Sequence, residues 1–112
     1  MPSVMLYITA SGRDEAARIA ATLVEERLIA CANILPGMES VYWWNGKVEH
    51  GREAVLIAKT DRRNVEMVTA RIVALHGDET PCVVALPIET GNADYLTWVE
   101  RESTAWDDGR MG

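Results

Sequence analysis

The segment SVYWWNGKVE, residues 40–49, places three aromatic side chains directly before an Asn-Gly pair. Asn-Gly is the strongest short-range signal for a two-residue type I′ turn, because both turn positions need positive φ. The sequence therefore predicts a β-hairpin that turns at this pair, with Tyr42, Trp43 and Trp44 at its tip. Neighbouring side chains in a strand point to opposite faces of the sheet. Trp43 and Trp44 therefore cannot both pack into one core.

Strand and helix patterns alternate along the rest of the chain. Extended apolar stretches predict strands over residues 4–10, 28–34, 38–44, 47–60 and 82–88. Helices are predicted between them, and their caps are expected at Ser11, at Thr60 or Asp61, and at Asn92. Asp14 follows the first cap at the spacing of a weak capping box. Gly77 supplies a stop for the second helix directly after His76.

Two features interrupt the strands that form the hairpin. Proline cannot donate to a ladder, so Pro36-Gly37 indicates that the outgoing strand lies at a sheet edge or is bulged there. Gly51 predicts an irregularity in the return strand. A straight strand over residues 47–60 would extend roughly 45 Å at about 3.3 Å per residue. A compact chain of this size has a radius of gyration of only about 13 Å. The tip therefore projects beyond the body unless the strand bends sharply at Gly51.

The order of elements predicts an α+β fold. Two β-α-β units joined by a hairpin form a ferredoxin-like sandwich, βαββαβ, here followed by a C-terminal helix. Residues 1–112 are predicted to form one domain, with a disordered tail over about the last eight residues. Two helices would cover one face of the sheet and only the last helix the other. Yet residues 54–58 and 82–88 are apolar at successive positions, as in strands that are buried on both faces.

The uncovered sheet face and the aromatic tip indicate that a second copy of the chain is a partner. A projecting hairpin with unpaired edges and exposed tryptophan is an aggregation hazard unless another chain takes it up. We therefore expect Tyr42, Trp43 and Trp44 to lie against a neighbouring subunit. The alternative is that the second indole folds back over its own sheet or stays exposed, since single exposed apolar residues are normal.

Charge and composition limit the other partners. A net charge of −6 argues against a nucleic-acid partner, because phosphate binding needs a basic face. No apolar run has the length that spans a bilayer, so no membrane partner is expected. The first residues lack the basic start of a signal peptide, which makes the cytoplasm the expected location. In that reducing compartment Cys31 and Cys82 are expected to be free thiols.

Three segments together resemble the CutA family of divalent-cation tolerance proteins. They are LIACANILPGMESVYWWNGKVE, LIAKT and ETPCVVALPIETGNADYLTWV, and the resemblance extends from residue 4 to about residue 103. It implies a ferredoxin-like subunit in a homotrimer similar to the PII signalling proteins. It also implies a role in metal-ion tolerance, and copper binding is known among family members. No catalytic activity is established for the family, so membership leaves the molecular function open.

One motif departs from the family pattern. Where the family usually has His-Pro-Tyr-Glu, this chain reads His76-Gly77-Asp78-Glu79. The histidine and glutamate remain, but any ligand contact that the proline and tyrosine rings would make is lost. Glycine in place of a residue with fixed φ also loosens the turn before the last strand. Cys82 stands at a position where no family cysteine is expected.

The candidate metal ligands follow from the chemistry of copper. Reduced copper favours thiolate and thioether ligands, and imidazole is a good intermediate ligand. The candidates are therefore Cys31, from the Ala-Cys-Ala motif, His76, Cys82 and Met38. The spacing of the two cysteines does not tell whether they converge. The alternatives are that both cysteines are core residues and that His76 complements the dipole at a helix end.

A second group of residues is typical of a small-molecule pocket. Lys59, Glu79, Tyr95 and Trp98 belong to segments that could meet between subunits, and Lys47 lies just past the aromatic tip. A cleft with aromatic walls and a few charges is a common ligand site. The alternative is that Lys59 ends its strand in solvent and Trp98 packs the last helix against the sheet.

Nothing in the sequence indicates catalysis. Only His50 and His76 could act as bases near neutral pH without a large pKa shift, and His50 lies in the charged stretch VEHGRE. The chain is therefore expected not to be an enzyme. We expect a cytoplasmic homotrimer that acts in tolerance of copper or another divalent metal ion by binding it. The alternative is a PII-like sensor that binds a small molecule in the cleft between subunits.

Overall fold

The structure, a computed structural model, describes residues 2–107. Its elements, in chain order, are β1 (Ser3–Ala10), α1 (Arg13–Glu25), β2 (Cys31–Trp44), β3 (Lys47–Asp61), α2 (Val65–Leu75), β4 (Val83–Pro87) and α3 (Ala93–Glu102), with short 3-10 helices at Arg62–Asn64 and Ala105–Asp107. The four strands form one antiparallel sheet in the order β2-β3-β1-β4. The predicted ferredoxin-like α+β fold, βαββαβ with a C-terminal helix, is confirmed.

The core lies between the sheet and the first two helices. Alternate residues of β1 are buried on that side: Val4, Leu6, Ile8 and Ala10. Leu6 lies between Ala58 of β3 and Ala85 of β4, which fixes the same alternation across the sheet. Side chains at helical spacing on α1 and α2, such as Ile19 and Ile72, fill the space above it. None of the helices within residues 2–107 is long and apolar enough to cross a membrane.

The β2–β3 hairpin turns where the sequence predicted. Asn45 and Gly46 both have positive φ, 49° and 77°, as a type I′ turn requires. Every residue from 41 to 50 is exposed, and the longest dimension of the molecule is 43 Å. The tip therefore projects beyond the helical layer.

Of the two predicted interruptions in the hairpin strands, one is present and the other is absent. The pairing of β2 with β3 shifts register between Leu35 and Met38, around Pro36-Gly37, and β2 is an edge strand, so that prediction is confirmed. The predicted irregularity at Gly51 is wrong, since Gly51 pairs with Ser40 in an unbroken register. A methyl group at position 51 would lie 3.6 Å from Tyr42 Oη. This is an ordinary van der Waals distance, so no close contact requires glycine at this position.

The predicted cap is present at the last helix and absent at the first. At the second, Asp61 caps the 3-10 helix Arg62–Asn64 that leads into α2, whereas Asn64, the N-cap residue of α2 itself, makes no side-chain cap bond. Asp61 accepts a hydrogen bond from the Arg63 N–H, and Asn92 accepts one from the Asp94 N–H. At α1 the cap position is Gly12 and makes no side-chain bond, so the prediction of a Ser11 cap completed by Asp14 is wrong. Instead the Glu15 carboxylate reaches back to the Ser11 N–H.

The sheet face away from α1 and α2 is largely bare in the single chain. Val84 and Leu86 of β4 point to this face and are 49% and 43% exposed. They alternate with Ala85, which lies opposite Leu6 of the core side. Helix α3 covers one end of this face, where Tyr95 contacts Cys31. We refer to it as the open face.

The C-terminal segment is anchored by a buried polar network. Asn64 donates to the Ser103 carbonyl at 2.8 Å and accepts from the Trp106 N–H at 2.9 Å. Ala105 is fully buried against the core. The predicted tail therefore begins with a packed 3-10 helix, Ala105–Asp107, and its remainder, residues 108–112, lies outside the described residues.

Candidate functional site

Three of the four predicted pocket residues meet at one end of the open face. Lys59 lies directly opposite Cys31 in the sheet, and its Nζ is 3.8 Å from Cys31 Sγ and 3.2 Å from Asn33 Oδ1. Tyr95 Oη is 3.4 Å from the same sulfur, and Lys59 Nζ lies 5.7 Å from the Tyr95 ring centroid. Trp98 stacks on Tyr95 at 5.7 Å between centroids. We call these five residues the Lys59 cluster.

The charge and the stacked rings of the Lys59 cluster favour a ligand that is anionic or has a flat ring. Burial, followed by the hydrogen bond with Cys31, raises the pKa of Tyr95, although Lys59 opposes this. The phenol therefore stays neutral at physiological pH and can donate a hydrogen bond. The Lys59 ammonium beside the Cys31 sulfur would repel a metal cation. The cluster offers one positive charge, one amide and two stacked rings.

Glu79, the fourth predicted pocket residue, lies elsewhere. It borders a cavity of about 740 Å³ between the β2–β3 hairpin and the turn after α2, which we call the hairpin cavity. Its walls carry three aromatic rings, four carboxylates and two sulfur atoms, from Tyr7, Tyr42, Trp44, Glu39, Glu53, Asp78, Glu79, Met38 and Cys82. Among the described residues that line it there is no lysine, arginine or histidine. The single chain therefore does not bring Glu79 to Lys59, Tyr95 and Trp98.

The two cysteines are free thiols that lie far apart. Cys31 is at the start of the edge strand β2, whereas Cys82 precedes β4 at the opposite edge and its carbonyl accepts from the Thr9 N–H. Three strand spacings of about 4.8 Å separate the two edges. One metal ion cannot bind both thiols of a single chain. Cys31 is half-buried and Cys82 is exposed, so neither is a plain core residue.

His76, the third predicted metal ligand, is fully buried and uses both ring nitrogens. Its Nδ1 accepts from the Asp78 N–H at 3.0 Å, so Nε2 carries the proton and donates to the Thr9 carbonyl at 2.7 Å. No lone pair remains for a metal ion in this arrangement. His76 is the C-cap residue of α2. It ties the end of that helix to β1 and to the following turn, which is a structural role.

The described residues 2–107 contain no complete metal site. Within the described part, no three histidine, cysteine, aspartate or glutamate side chains are grouped closely enough to hold an ion. Met38 Sδ accepts a hydrogen bond from Tyr7 Oη at 3.5 Å. The candidate ligands Cys31, His76 and Cys82 therefore do not form one centre.

Two residues, Asn33 in the Lys59 cluster and Glu15 at the turn after α2, were not predicted from the sequence. Asn33 follows Cys31 by two positions, so it shares a sheet face with that cysteine. This alternation within the Ala-Cys-Ala-Asn motif was a usable signal. Glu15 binds the Gly77 N–H at 2.9 Å. No local pattern links these two residues, which are 62 positions apart.

The chain is similar over most of its length to proteins of one family. The family model described as "CutA1 divalent ion tolerance protein" matches residues 4–102. The Divalent-cation tolerance protein CutA of Thermus thermophilus is 45% identical over 89% of this chain and 96% of its own length. Protein CutA 1, chloroplastic, of rice is 41% identical over 92% of this chain. The chain spans 58% of that rice protein and 57% of the Arabidopsis protein named CutA, chloroplastic.

Solved structures are similar to this chain in fold as well as in sequence. The crystal structure of CutA1 from Oryza sativa superposes with a TM-score of 0.89 at 41% identity, covering 92% of this chain and 94% of that one. The Cut A1 divalent cation tolerance protein from Thermus thermophilus gives 0.88 at 40% identity, covering 90% of this chain and 98% of that one.

Proposed function

Because the chain belongs to the CutA1 divalent ion tolerance family, we propose that it acts in tolerance of divalent metal ions, with copper as the first metal to test. The observation that carries this proposal is the family match over residues 4–102. Relatives from Thermus thermophilus and Archaeoglobus fulgidus carry the name divalent-cation tolerance protein.

The functional form that we propose is a homotrimer. Its support in this chain is apolar surface that one copy leaves in water. Val41, Trp43 and Val48 share one face of the hairpin tip and are 65%, 74% and 49% exposed. Tyr42 and Trp44 point to the other face and border the hairpin cavity. Exposed apolar patches of this kind mark association surfaces, and the number three comes from the resemblance to the family.

Metal binding by the trimer would use thiols on the open face. Cys31 has the Lys59 ammonium 3.8 Å away, which opposes a cation. Cys82 instead borders the hairpin cavity, together with the Met38 thioether and four carboxylates. Sulfur ligands suit reduced copper. We therefore propose Cys82 as the stronger of the two cysteine ligands, with the remaining ligands contributed by a neighbouring copy.

Isothermal titration with Cu(I) and with Cu(II) tests this assignment. We expect Cys82→Ser to weaken Cu(I) binding at least about tenfold, since a thiolate ligand is lost. The matched control Cys31→Ser should change the affinity much less. If the variant with both substitutions still binds like the parent protein, cysteine ligation is ruled out.

The second candidate function is a PII-like sensor that binds a small molecule at the Lys59 cluster. The specific observation in its favour is an ammonium group beside two stacked rings, which suits a ligand with a flat ring and a negative charge. A thermal-shift screen of nucleotides and anionic metabolites against metal ions separates the candidates, because a ligand specific to the native state raises the melting temperature. We expect Lys59→Gln to abolish a shift caused by an anionic ligand and Lys47→Gln to preserve it. A protein that only presents a surface to another protein would show no shift with any of these compounds.

We further propose that the protein is cytoplasmic and is not an enzyme. Relatives differ in location, since some are named chloroplastic and the Archaeoglobus fulgidus protein is titled periplasmic. Cell fractionation followed by immunoblotting tests the first proposal. In support of the second, His76 is buried with both nitrogens bonded, and His50 lies on the exposed hairpin. Turnover of any substrate by the purified protein would contradict it.

A further inference from the structure

The hairpin cavity combines an aromatic lining with the size of a small-molecule site. Its volume of about 740 Å³ lies within the range of ligand pockets. Tyr42 and Trp44, on one face of β2, are 44% and 48% exposed, and a third ring, that of Tyr7, comes from β1. Tyr7 Oη already donates to Met38 Sδ. The rings therefore offer flat apolar surface along which an alkyl chain can pack.

The negative charge of the hairpin cavity is not compensated from within the described chain. Glu53 is half-buried on the hairpin side, directly opposite Met38 in the sheet, and Asp78 and Glu79 border the cavity from the turn after α2. Neither the Glu53 nor the Glu79 carboxylate has an ion-pair partner within residues 2–107. Among those residues, no lysine, arginine or histidine lines the cavity. A cleft with charges of one sign concentrates counter-ions, so this cavity favours a cationic ligand.

The placement of the carboxylates suits an extended cation better than a single metal ion. Glu53 belongs to the hairpin wall and Glu79 to the wall formed by the turn, with the aromatic rings along the same cavity. No three carboxylate, thiol or imidazole groups of residues 2–107 come close enough to hold one ion. A chain with an ammonium group at each end can meet both walls, and its methylene groups then leave water to pack on the rings. Ammonium groups are also attracted to the faces of tyrosine and tryptophan.

We propose that the hairpin cavity is a binding site for an aliphatic diamine or polyamine. The methylene chain lies along the rings of Tyr42 and Trp44, one ammonium end binds the Glu53 carboxylate, and another binds the turn at Glu79. This site goes beyond metal-ion tolerance, because it uses neither thiol of the chain.

Isothermal titration of the intact protein with amines tests the site. The probes are putrescine, cadaverine and spermidine, with butylamine as a control that has the same chain length as putrescine but one charge. The titrations are done near physiological ionic strength, where the Debye length is about 8 Å and distant charges are screened. We expect spermidine to bind at least about tenfold more tightly than butylamine, since a second ammonium group gains a charged hydrogen-bond acceptor. Equal affinities for the two amines, or no binding of any diamine, overturn the proposal.

Variants that each remove one negative charge locate the site. We expect Glu53→Gln and Glu79→Gln to weaken spermidine binding at least about fivefold, because each loses a charged acceptor. Glu66→Gln removes the same charge from an exposed position on α2, outside the cavity, and should change the affinity little. Equal effects of all three variants would mean that spermidine is attracted only by the net charge of −6, which overturns the proposal.

A further variant separates this proposal from metal binding. Cys82→Ser, which tests copper ligation, should bind spermidine with the affinity of the parent protein. Either proposal can therefore fail while the other stands.

Discussion

Glu15 joins two parts of the chain that are distant in sequence. One of its oxygens accepts the Ser11 N–H at 2.8 Å and the other accepts the Gly77 N–H at 2.9 Å. Burial would raise the pKa of this carboxyl, but the hydrogen bonds from Ser11 and Gly77 together outweigh it, so its pKa lies below the ordinary value of 4.5. The charged form is therefore the one that stabilises the fold.

The lowered pKa of Glu15 gives stability a pH dependence of known sign. Its stabilisation is present above pH 4.5, the ordinary pKa, and is lost as the pH falls through the lower pKa of the folded state. We expect Glu15→Gln to lower the free energy of unfolding at pH 7 by about 1–3 kcal/mol, because a hydrogen bond to a charged acceptor is lost. The loss of stability on acidification should also become shallower. Urea unfolding at pH 7 and pH 4 measures both, and Glu25→Gln, an exposed change on the same helix, is the control.

Arg27 has a left-handed backbone conformation that residues other than glycine rarely adopt. Its φ is +61°, and the Arg27 and Leu28 N–H groups donate to the Val24 and Leu23 carbonyls. These bonds define a Schellman motif, in which the left-handed position usually carries glycine. The arginine side chain forms an ion pair with Glu102 at 2.7 Å.

Substitutions at position 27 separate the backbone effect from the ion pair. Both Arg27→Ala and Arg27→Gly remove the ion pair, but only glycine relieves the left-handed conformation. We expect the glycine variant to unfold with a free energy about 1 kcal/mol higher than that of the alanine variant. Chemical denaturation of the two variants side by side gives the difference. Equal stabilities would mean that the turn carries no conformational cost.

At the scale of elements, the β2–β3 hairpin presents two different aromatic surfaces. Trp43 pairs with Val48 on one face, while Tyr42 and Trp44 lie on the other face and border the hairpin cavity, which Val41 also lines. The alternation explains why the two tryptophans cannot share one core. In the single chain both surfaces remain in contact with water.

The hairpin aromatics should dominate assembly. We expect Trp44→Ala to weaken the proposed trimer far more than Arg52→Ala. Truncating a tryptophan that is buried by assembly costs about 3–5 kcal/mol, whereas an exposed charge further along the hairpin contributes little. Sedimentation velocity over a range of concentrations compares the two variants. If both variants are equally trimeric, the hairpin aromatics do not hold the copies together.

Local chemistry explains which elements could be predicted from the sequence. Asn45-Gly46 and Pro36-Gly37 act through their own backbone, so the turn and the bulge were predicted correctly. Gly51 failed as a predictor because it has an ordinary strand conformation, pairs in register with Ser40 and has no close contact that requires glycine. The cap of α1 failed because Glu15 serves the Ser11 N–H and a distant turn at once.

The candidate sites show the same distinction between local signals and contacts that are distant in sequence. Lys59, Tyr95 and Trp98 lie together in the single chain, and their role in a ligand pocket between subunits stays a prediction. That Glu79 lies in a different cavity depends on strand order, which no single segment encodes. The buried state of His76 likewise depends on contacts with α1 and β1.

At the scale of the whole molecule, the sheet has one face covered by α1 and α2 and one face that a single chain leaves open. If copies cover this face for one another, stability depends on protein concentration. We expect the melting temperature to rise measurably when the protein concentration is raised about a hundredfold, and tryptophan emission to shift to the red on extreme dilution. A melting temperature that is independent of concentration, with unchanged emission, would show that one copy is sufficient.

The strand order also determines when each strand can pair during translation. β1 leaves the ribosome first, yet it occupies the middle of the sheet, and its neighbours are β3 and β4. A nascent chain can close the β2–β3 hairpin locally but cannot seat β1 on both sides until residue 87 has been translated. We expect arrested nascent chains that end before β4 to be cleaved readily by protease, and chains extended past α3 to resist it. Early resistance would mean that three strands suffice for a stable intermediate during translation.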